Sequence, residues 1–151
     1  MVIRPLASDT EAEQCASMMA ASEPWISYGR TRERCLQIVR DQTSEIYVAV
    51  EEGHVRGFVI VVMHGAFIGY IRILCVDPSM RGKGLGTRLV AFAEERIFSE
   101  TPNVFLCVSD FNTRARALYE RLGYEAIGEL RDYLARGFTE VLMRKTRGPI
   151  G

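Results

Sequence analysis

The chain has 151 residues, 48% hydrophobic and 25% charged, the balance of an ordinary globular protein. Its 19 basic and 19 acidic side chains cancel, so no overall field draws it to nucleic acid or an anionic membrane, and any anion site has to be local. The longest wholly apolar run, Phe58 to Met63, is too short to cross a bilayer, and the first residues carry no apolar stretch of a secretory signal; a cytoplasmic protein is expected. Cys15, Cys35, Cys75 and Cys107 lie far apart, and His54 and His64 stand in unrelated contexts, so neither a metal site nor a disulfide framework is expected. Cys75 and Cys107 sit inside apolar runs and read as small buried hydrophobes.

In chain order, Val2 to Leu6 reads as a short strand. Asp9 to Ala21 reads as a helix, with acidic residues at its start and Ala12, Cys15, Met18 and Met19 at helical spacing. Ser22 to Arg30 is a break, and Thr31 caps a second helix to about Arg40 with Cys35, Leu36 and Val39 inward. Glu45 to Val50, Val55 to Met63 and Phe67 to Val76 form a meander with short connections, the middle run apolar enough to be central. Then the pattern changes. A glycine loop precedes a helix from about Gly84 to Phe98, and Asn103 to Val108 is a strand. Asn112 caps a helix that Gly123 stops after Leu122, and Tyr124 to Glu129 and Phe138 to Arg144 close as strands. One domain over residues 1–145 is expected, with a frayed tail at 146–151. The class is α/β or α+β: an antiparallel half, then a strand–helix–strand unit whose strands are parallel.

The loop Arg81-Gly82-Lys83-Gly84-Leu85-Gly86-Thr87 lies between a strand end and a helix start. Glycines there allow positive φ and close approach of a ligand, and a helix N-terminus presents free N–H groups to an anion. Arg81, Lys83 and Arg88 add positive charge, so the natural guest is a phosphate or pyrophosphate. The P-loop pattern fails because Gly82-Lys83 is followed by Gly84. The dinucleotide pattern fails because Thr87 occupies its third glycine position. An R-x-x-G-x-G pattern is met by Arg81, Gly84 and Gly86, and a glycine-rich connection without a ligand remains the plain alternative.

Downstream comes Asn112-x-x-Ala115-x-x-Leu118-Tyr119-x-x-x-Gly123-Tyr124. Together with RGKGLG, and over nearly the whole chain, this resembles the GNAT superfamily of acyl-CoA-dependent N-acyltransferases, with a looser likeness to the N-terminal acetyltransferases of ribosomal proteins. The resemblance implies a central mixed, mostly antiparallel sheet of about seven strands with about four helices. It implies acetyl-CoA as co-substrate, its pyrophosphate on the N–H groups from Gly82 to Thr87. It implies that the pantetheine arm pairs with the backbone of Cys75 and Val76 where that strand splays from the one carrying Cys107. An N–H near Val76 would polarise the thioester carbonyl, and the Asn112 amide would touch the coenzyme arm. Tyr119, read from spacing alone, is a core-facing aromatic; the resemblance makes it the acid that protonates the leaving thiolate.

Acyl transfer needs a neutral amine, donors for the oxyanion and a protonated leaving group. Ribosomal-protein alanine acetyltransferases carry a glutamate where this chain has Cys107, and the strand Gly69 to Leu74 has no carboxylate either. Glu129, Asp132, Tyr133 and Glu140 are left as remote groups acting through water, and each reads first as a surface residue. The amine is therefore expected to lose its proton to water, relayed by backbone carbonyls or by a distant group such as Glu129. Glu23 to Tyr28 and Arg131 to Arg136 would rim the acceptor side, with Trp25 either a core anchor or a pocket wall. The expected acceptor is a small-molecule amine or a protein N-terminus. A longer acyl-CoA, a CoA-binding module without turnover and a homodimer through C-terminal strand edges remain open at this level.

Overall fold

Three runs of β-branched and apolar residues joined by short turns form the centre of the fold, seen in a computed structural model that describes residues 1–151. These are β2 (Glu45–Glu51), β3 (His54–Val62) and β4 (Tyr70–Val76), each antiparallel to the next. β1 (Val2–Pro5) pairs with β2, and β5 (Asn103–Ser109) lies parallel to β4. β6 (Glu125–Arg131) and β7 (Thr139–Thr146) complete a seven-stranded sheet of order β1-β2-β3-β4-β5-β7-β6. The mixed, mostly antiparallel sheet and its one parallel pair agree with the sequence reading.

Helices cover both faces. On one, Cys15 and Met19 of α1 (Asp9–Ala20) and Cys35 and Val39 of α2 (Arg32–Val39) pack on Val48, Phe58 and Ile60. On the other, Leu89, Ala93 and Ile97 of α3 (Leu85–Phe98) pack on Val59, Val61 and Leu106, and α4 (Thr113–Arg121) contributes Tyr119. Thr31 and Asn112 cap as the sequence indicates, their side chains accepting from the N–H groups of Arg34 and Ala115, and Ser8 caps α1 by accepting from the Glu11 N–H.

Some boundaries differ from the sequence reading. The strand expected from Phe67 begins at Tyr70, because Gly69 takes φ +90° and passes so close to β5 that a Cβ there would lie 2.5 Å from the Asn103 carbonyl oxygen. Phe67 and Ile68 are left exposed outside the strand. Leu36 is only half-buried, and Ile38 takes its expected place in the core. Gly123, at φ +98°, ends α4 as expected, yet Tyr124 still donates its N–H to the Tyr119 carbonyl, so β6 starts one residue later. β7 continues to Thr146, and Arg147 donates its N–H to the Pro102 carbonyl at 2.8 Å.

The register of β4 carries the feature that shapes the site. Val61 pairs with Ile71, but Ile60 pairs with Ile73, which leaves Arg72 as an extra residue. Such a bulge bends its strand and shifts the alternation of faces. Ile71 accordingly packs toward α3, whereas Ile73 and Cys75 pack toward α1 and α2. Beyond the bulge β4 leaves β5: their only registered pairs are Tyr70 with Phe105 and Ile71 with Leu106. By contrast, β5 stays paired with β7 along its whole length, from Asn103 to Ser109.

Candidate active site

Where β4 and β5 part, the free edge of β4 is open from Arg72 to Val76. Backbone N–H and C=O groups alternate sides along a strand. The Asp77 N–H donates to the Arg56 carbonyl on the β3 side at 2.8 Å. The N–H groups of Val76 and Leu74 therefore point to the opposite side, into the split. That provides strand-like pairing for an extended guest within the sheet.

The chain then makes a single 3₁₀ turn (Pro78–Met80), fixed by the Asp77 carboxylate accepting from the Ser79 N–H, and enters the glycine loop. Gly82 and Gly84 have φ of +75° and +83°, and nothing lies within 4 Å of a Cβ built on Gly84. α3 starts directly after Gly84 with no side-chain cap. As a result, the backbone N–H groups from Gly82 through Thr87 donate to no group of the protein. A helix start left this bare is a strong anion site. Arg81, Lys83, Arg88, Arg114 and Arg121 make no ion pair, so the nearby positive charge is uncompensated.

A cleft of about 540 Å³ joins these parts. Of the residues singled out from sequence, Cys75, Val76, Arg81, Gly82, Gly84, Leu85, Gly86, Thr87, Asn112 and Tyr119 all line it. The Lys83 side chain is outside the lining, although its N–H belongs to the free run. Trp25 satisfies both of its readings: it is 9% exposed, packs in the α1–α2 core and reaches the cleft. The sequence reading missed Arg114 and Arg121. They share the helical spacing of Leu118 on α4, which put them on the cleft side. A larger cavity of about 690 Å³, between Ser8 and Tyr47, contains none of these groups.

Tyr119 is 7% exposed, and burial alone pushes its phenol pKa well above the usual range. Its ring meets Tyr124 edge-on at 5.9 Å, and its hydroxyl has no hydrogen-bond partner in the protein. A phenol kept protonated, unpartnered and facing a cleft can donate a proton to a guest. Neither nearby thiol is a ready nucleophile. Burial raises Cys75 to about 12, and burial together with the Glu140 charge raises Cys107. Cys107→Ala should therefore cost about 1 kcal/mol of stability and leave kcat near wild type. An acetylated Cys107 in the mass spectrum, with parallel initial-rate lines, would contradict that.

Of the remote groups considered from sequence, Glu129, Asp132 and Tyr133 are exposed as expected. Glu140 is not: it is 2% exposed, opposite Ser109 in register. From sequence it reads as a surface residue, but the Tyr28 loop covers it.

Comparison with known proteins agrees with this geometry. The model of the Acetyltransferase (GNAT) family matches residues 10–124. A mycothiol acetyltransferase of Salinispora arenicola (strain CNS-205) is 42% identical over 48% of this chain and 25% of its own, so the chain spans about a quarter of that relative. A blasticidin-S acetyltransferase of Streptomyces morookaense is 31% identical over 66% of this chain and 71% of its own. The crystal structure of aminoglycoside 6′-acetyltransferase type Ii shares the fold over 100% of both chains, with a TM-score of 0.81 at 22% identity. The Escherichia coli ribosomal-protein-S18-alanine N-acetyltransferase does so over 99% of this chain and 96% of its own, with a TM-score of 0.77 at 18% identity. An aminoglycoside 6′-N-acetyltransferase of this fold was solved complexed with coenzyme A, with a TM-score of 0.78 at 20% identity. The family match extends from α1 to the end of α4, across the split strands and the glycine loop, and the chain belongs to the Acetyltransferase (GNAT) family.

Proposed function

We propose that the protein transfers an acetyl group from acetyl-CoA to a primary amine by direct attack in a ternary complex. The observation that carries this reading is the run of unsatisfied N–H groups from Gly82 to Thr87 beside the unpaired edge of β4, both on one cleft. An anion of pyrophosphate type suits the first part, and an extended chain of amides suits the second. Arg81, Arg114 and Arg121 would add charge around the phosphates. Asn112, whose side-chain oxygen caps α4 at 3.3 Å from the Ala115 N–H, keeps its amide N–H₂ for the coenzyme arm.

In this reading the Val76 N–H polarises the thioester carbonyl and takes the developing oxyanion. The neutral amine attacks the carbonyl carbon, the C–N bond forms and the C–S bond breaks. Tyr119 gives its proton to the departing thiolate and is restored by the proton that the adduct's nitrogen sheds. The raised thiols of Cys75 and Cys107 support direct transfer over an acyl-enzyme.

A small-molecule amine is the favoured acceptor, because the relatives with sequence likeness are named for mycothiol and blasticidin S. Thiol release from acetyl-CoA should be followed with a panel of amino sugars, nucleoside and aminoglycoside amines, and peptides with free N-termini. Acceptor-dependent thiol with a small amine is the expected outcome. Thiol release only with peptides would move the acceptor to a protein N-terminus. Thermal stabilisation by CoA without acceptor-dependent thiol would make the protein a CoA-binding module.

A further inference from the structure

Glu140 is a buried carboxylate without a cation. Three half-buried carboxylates of the chain are paired with cations: Glu11 with Arg4, Glu45 with Arg96 and Glu94 with Lys145. Glu140 instead accepts hydrogen bonds from the Tyr28 hydroxyl and, at 3.3 Å, from the Ser109 hydroxyl. The Tyr28 and Ser109 oxygens also lie in hydrogen-bond contact, so with the Tyr28 proton directed at Glu140 the one Ser109 proton is shared between Glu140 and Tyr28. The remaining groups that face it are Asp110 and Cys107 from β5 and its end and Tyr70 from β4. None is a cation. A buried negative charge held by two hydroxyls and no positive partner is costly unless something supplies the counter-charge.

Its position indicates what that is. Along β5, Cys107 and Ser109 alternate with Leu106 and Val108, which pack toward α3. The side chains of Cys107 and Ser109, and that of Glu140 opposite Ser109, thus occupy the other face of the sheet, beside the point where β4 and β5 part. Tyr28, Phe111 and Phe138 wall this place edge-on, with centroids 5.0 to 6.1 Å apart. Phe111 is 40% exposed, so the wall reaches solvent. Aromatic faces beside a carboxylate suit an organic ammonium.

Resting on the acetyltransferase reading above, we propose that Glu140, reached through Tyr28, is the counter-charge and proton acceptor for the ammonium form of the acceptor amine. The ammonium donates to the Tyr28 oxygen as the Tyr28 hydroxyl proton passes to Glu140. The freed lone pair then attacks the thioester. The second proton, shed by nitrogen in the tetrahedral adduct, restores Tyr119 after it has protonated the thiolate. Glu140 returns its proton to water. Burial raises the Glu140 carboxyl above the ordinary glutamate range, which narrows its gap to an ammonium.

The test uses an alkylamine acceptor whose pKa is about 10 and the variant Glu140→Gln, which can still accept from Tyr28 and Ser109. At pH 7 kcat/KM for the amine should fall about 10²- to 10³-fold, with KM for acetyl-CoA unchanged and Tm held or raised. The wild-type rate should level off once Glu140 is ionised. The variant rate should climb about tenfold per pH unit until the amine itself is neutral. Tyr28→Phe keeps the aromatic wall and should show the same pH signature. Wild-type kcat/KM in Glu140→Gln at pH 7 would overturn the proposal. So would a loss equal at every pH and accompanied by lower Tm, which marks a purely structural tie. Absence of thiol release by the wild-type enzyme with every amine would instead overturn the acetyltransferase reading, and this proposal with it.

Discussion

Gly86→Asp should abolish coenzyme A binding while leaving the fold intact. Gly86 lies in the first turn of α3, and a Cβ there would meet only Leu118 at 3.5 Å and Val76 at 3.9 Å, both ordinary contacts. Gly86→Ala is therefore the control for bulk and should retain binding. The aspartate adds a negative charge among N–H groups that have no other partner. A carboxylate in the first turn of a helix stabilises that helix by about 0.3–1 kcal/mol, so Tm should hold or rise as binding is lost. Gly84→Asp is a poorer probe, since φ of +83° would strain any side chain there. Calorimetric titration with coenzyme A decides the matter. Heat from wild type and Gly86→Ala but none from Gly86→Asp is expected, and unchanged affinity in the aspartate variant would remove the anion site from this loop.

The second large effect belongs to Tyr119→Phe. The substitution breaks no hydrogen bond within the protein, because the hydroxyl has none, and it keeps the ring against Tyr124. Stability and coenzyme affinity should stay close to wild type. kcat should fall roughly 10²- to 10⁴-fold if the hydroxyl is the acid for the thiolate. The loss should shrink with acyl donors whose thiols have lower pKa values, since these leave without help. Full turnover by the phenylalanine variant would return Tyr119 to packing alone.

Local chemistry made most of the fold legible. Thr31 and Asn112 announced their helices, Gly123 announced an end, and the apolar run from Val55 announced the central strand. The glycine loop was legible because short-range spacing places it, whereas spacing alone made Tyr119 a core aromatic and only the resemblance pointed to it as a site residue. Other features depend on partners distant in sequence. The bulge at Arg72 exists only relative to β3, and no local rule marks it. Gly69 reads as a strand residue until the Asn103 carbonyl is brought against it. Glu140 looks like a surface residue of an amphipathic strand, and its burial depends on Tyr28, from a loop far earlier in the chain. Arg114 and Arg121 went unread because their spacing is informative only once the cleft is known.

The parting of β4 from β5 also bears on cooperativity. Hydrogen bonding across the sheet is continuous from β1 to β4 and again from β5 through β7 to β6, but the two blocks share only the rungs at Tyr70–Phe105 and Ile71–Leu106. Packing through α3, which touches both blocks, and the contacts of the Tyr28 loop with Ser109 and Glu140 supply further coupling. Such a seam makes the sheet two opening units instead of one, with the amides of Leu74 and Val76 on its weaker margin. A ligand lying in the seam would bridge the blocks as a strand does, so its binding free energy would also be the energy that fuses two foldons into one.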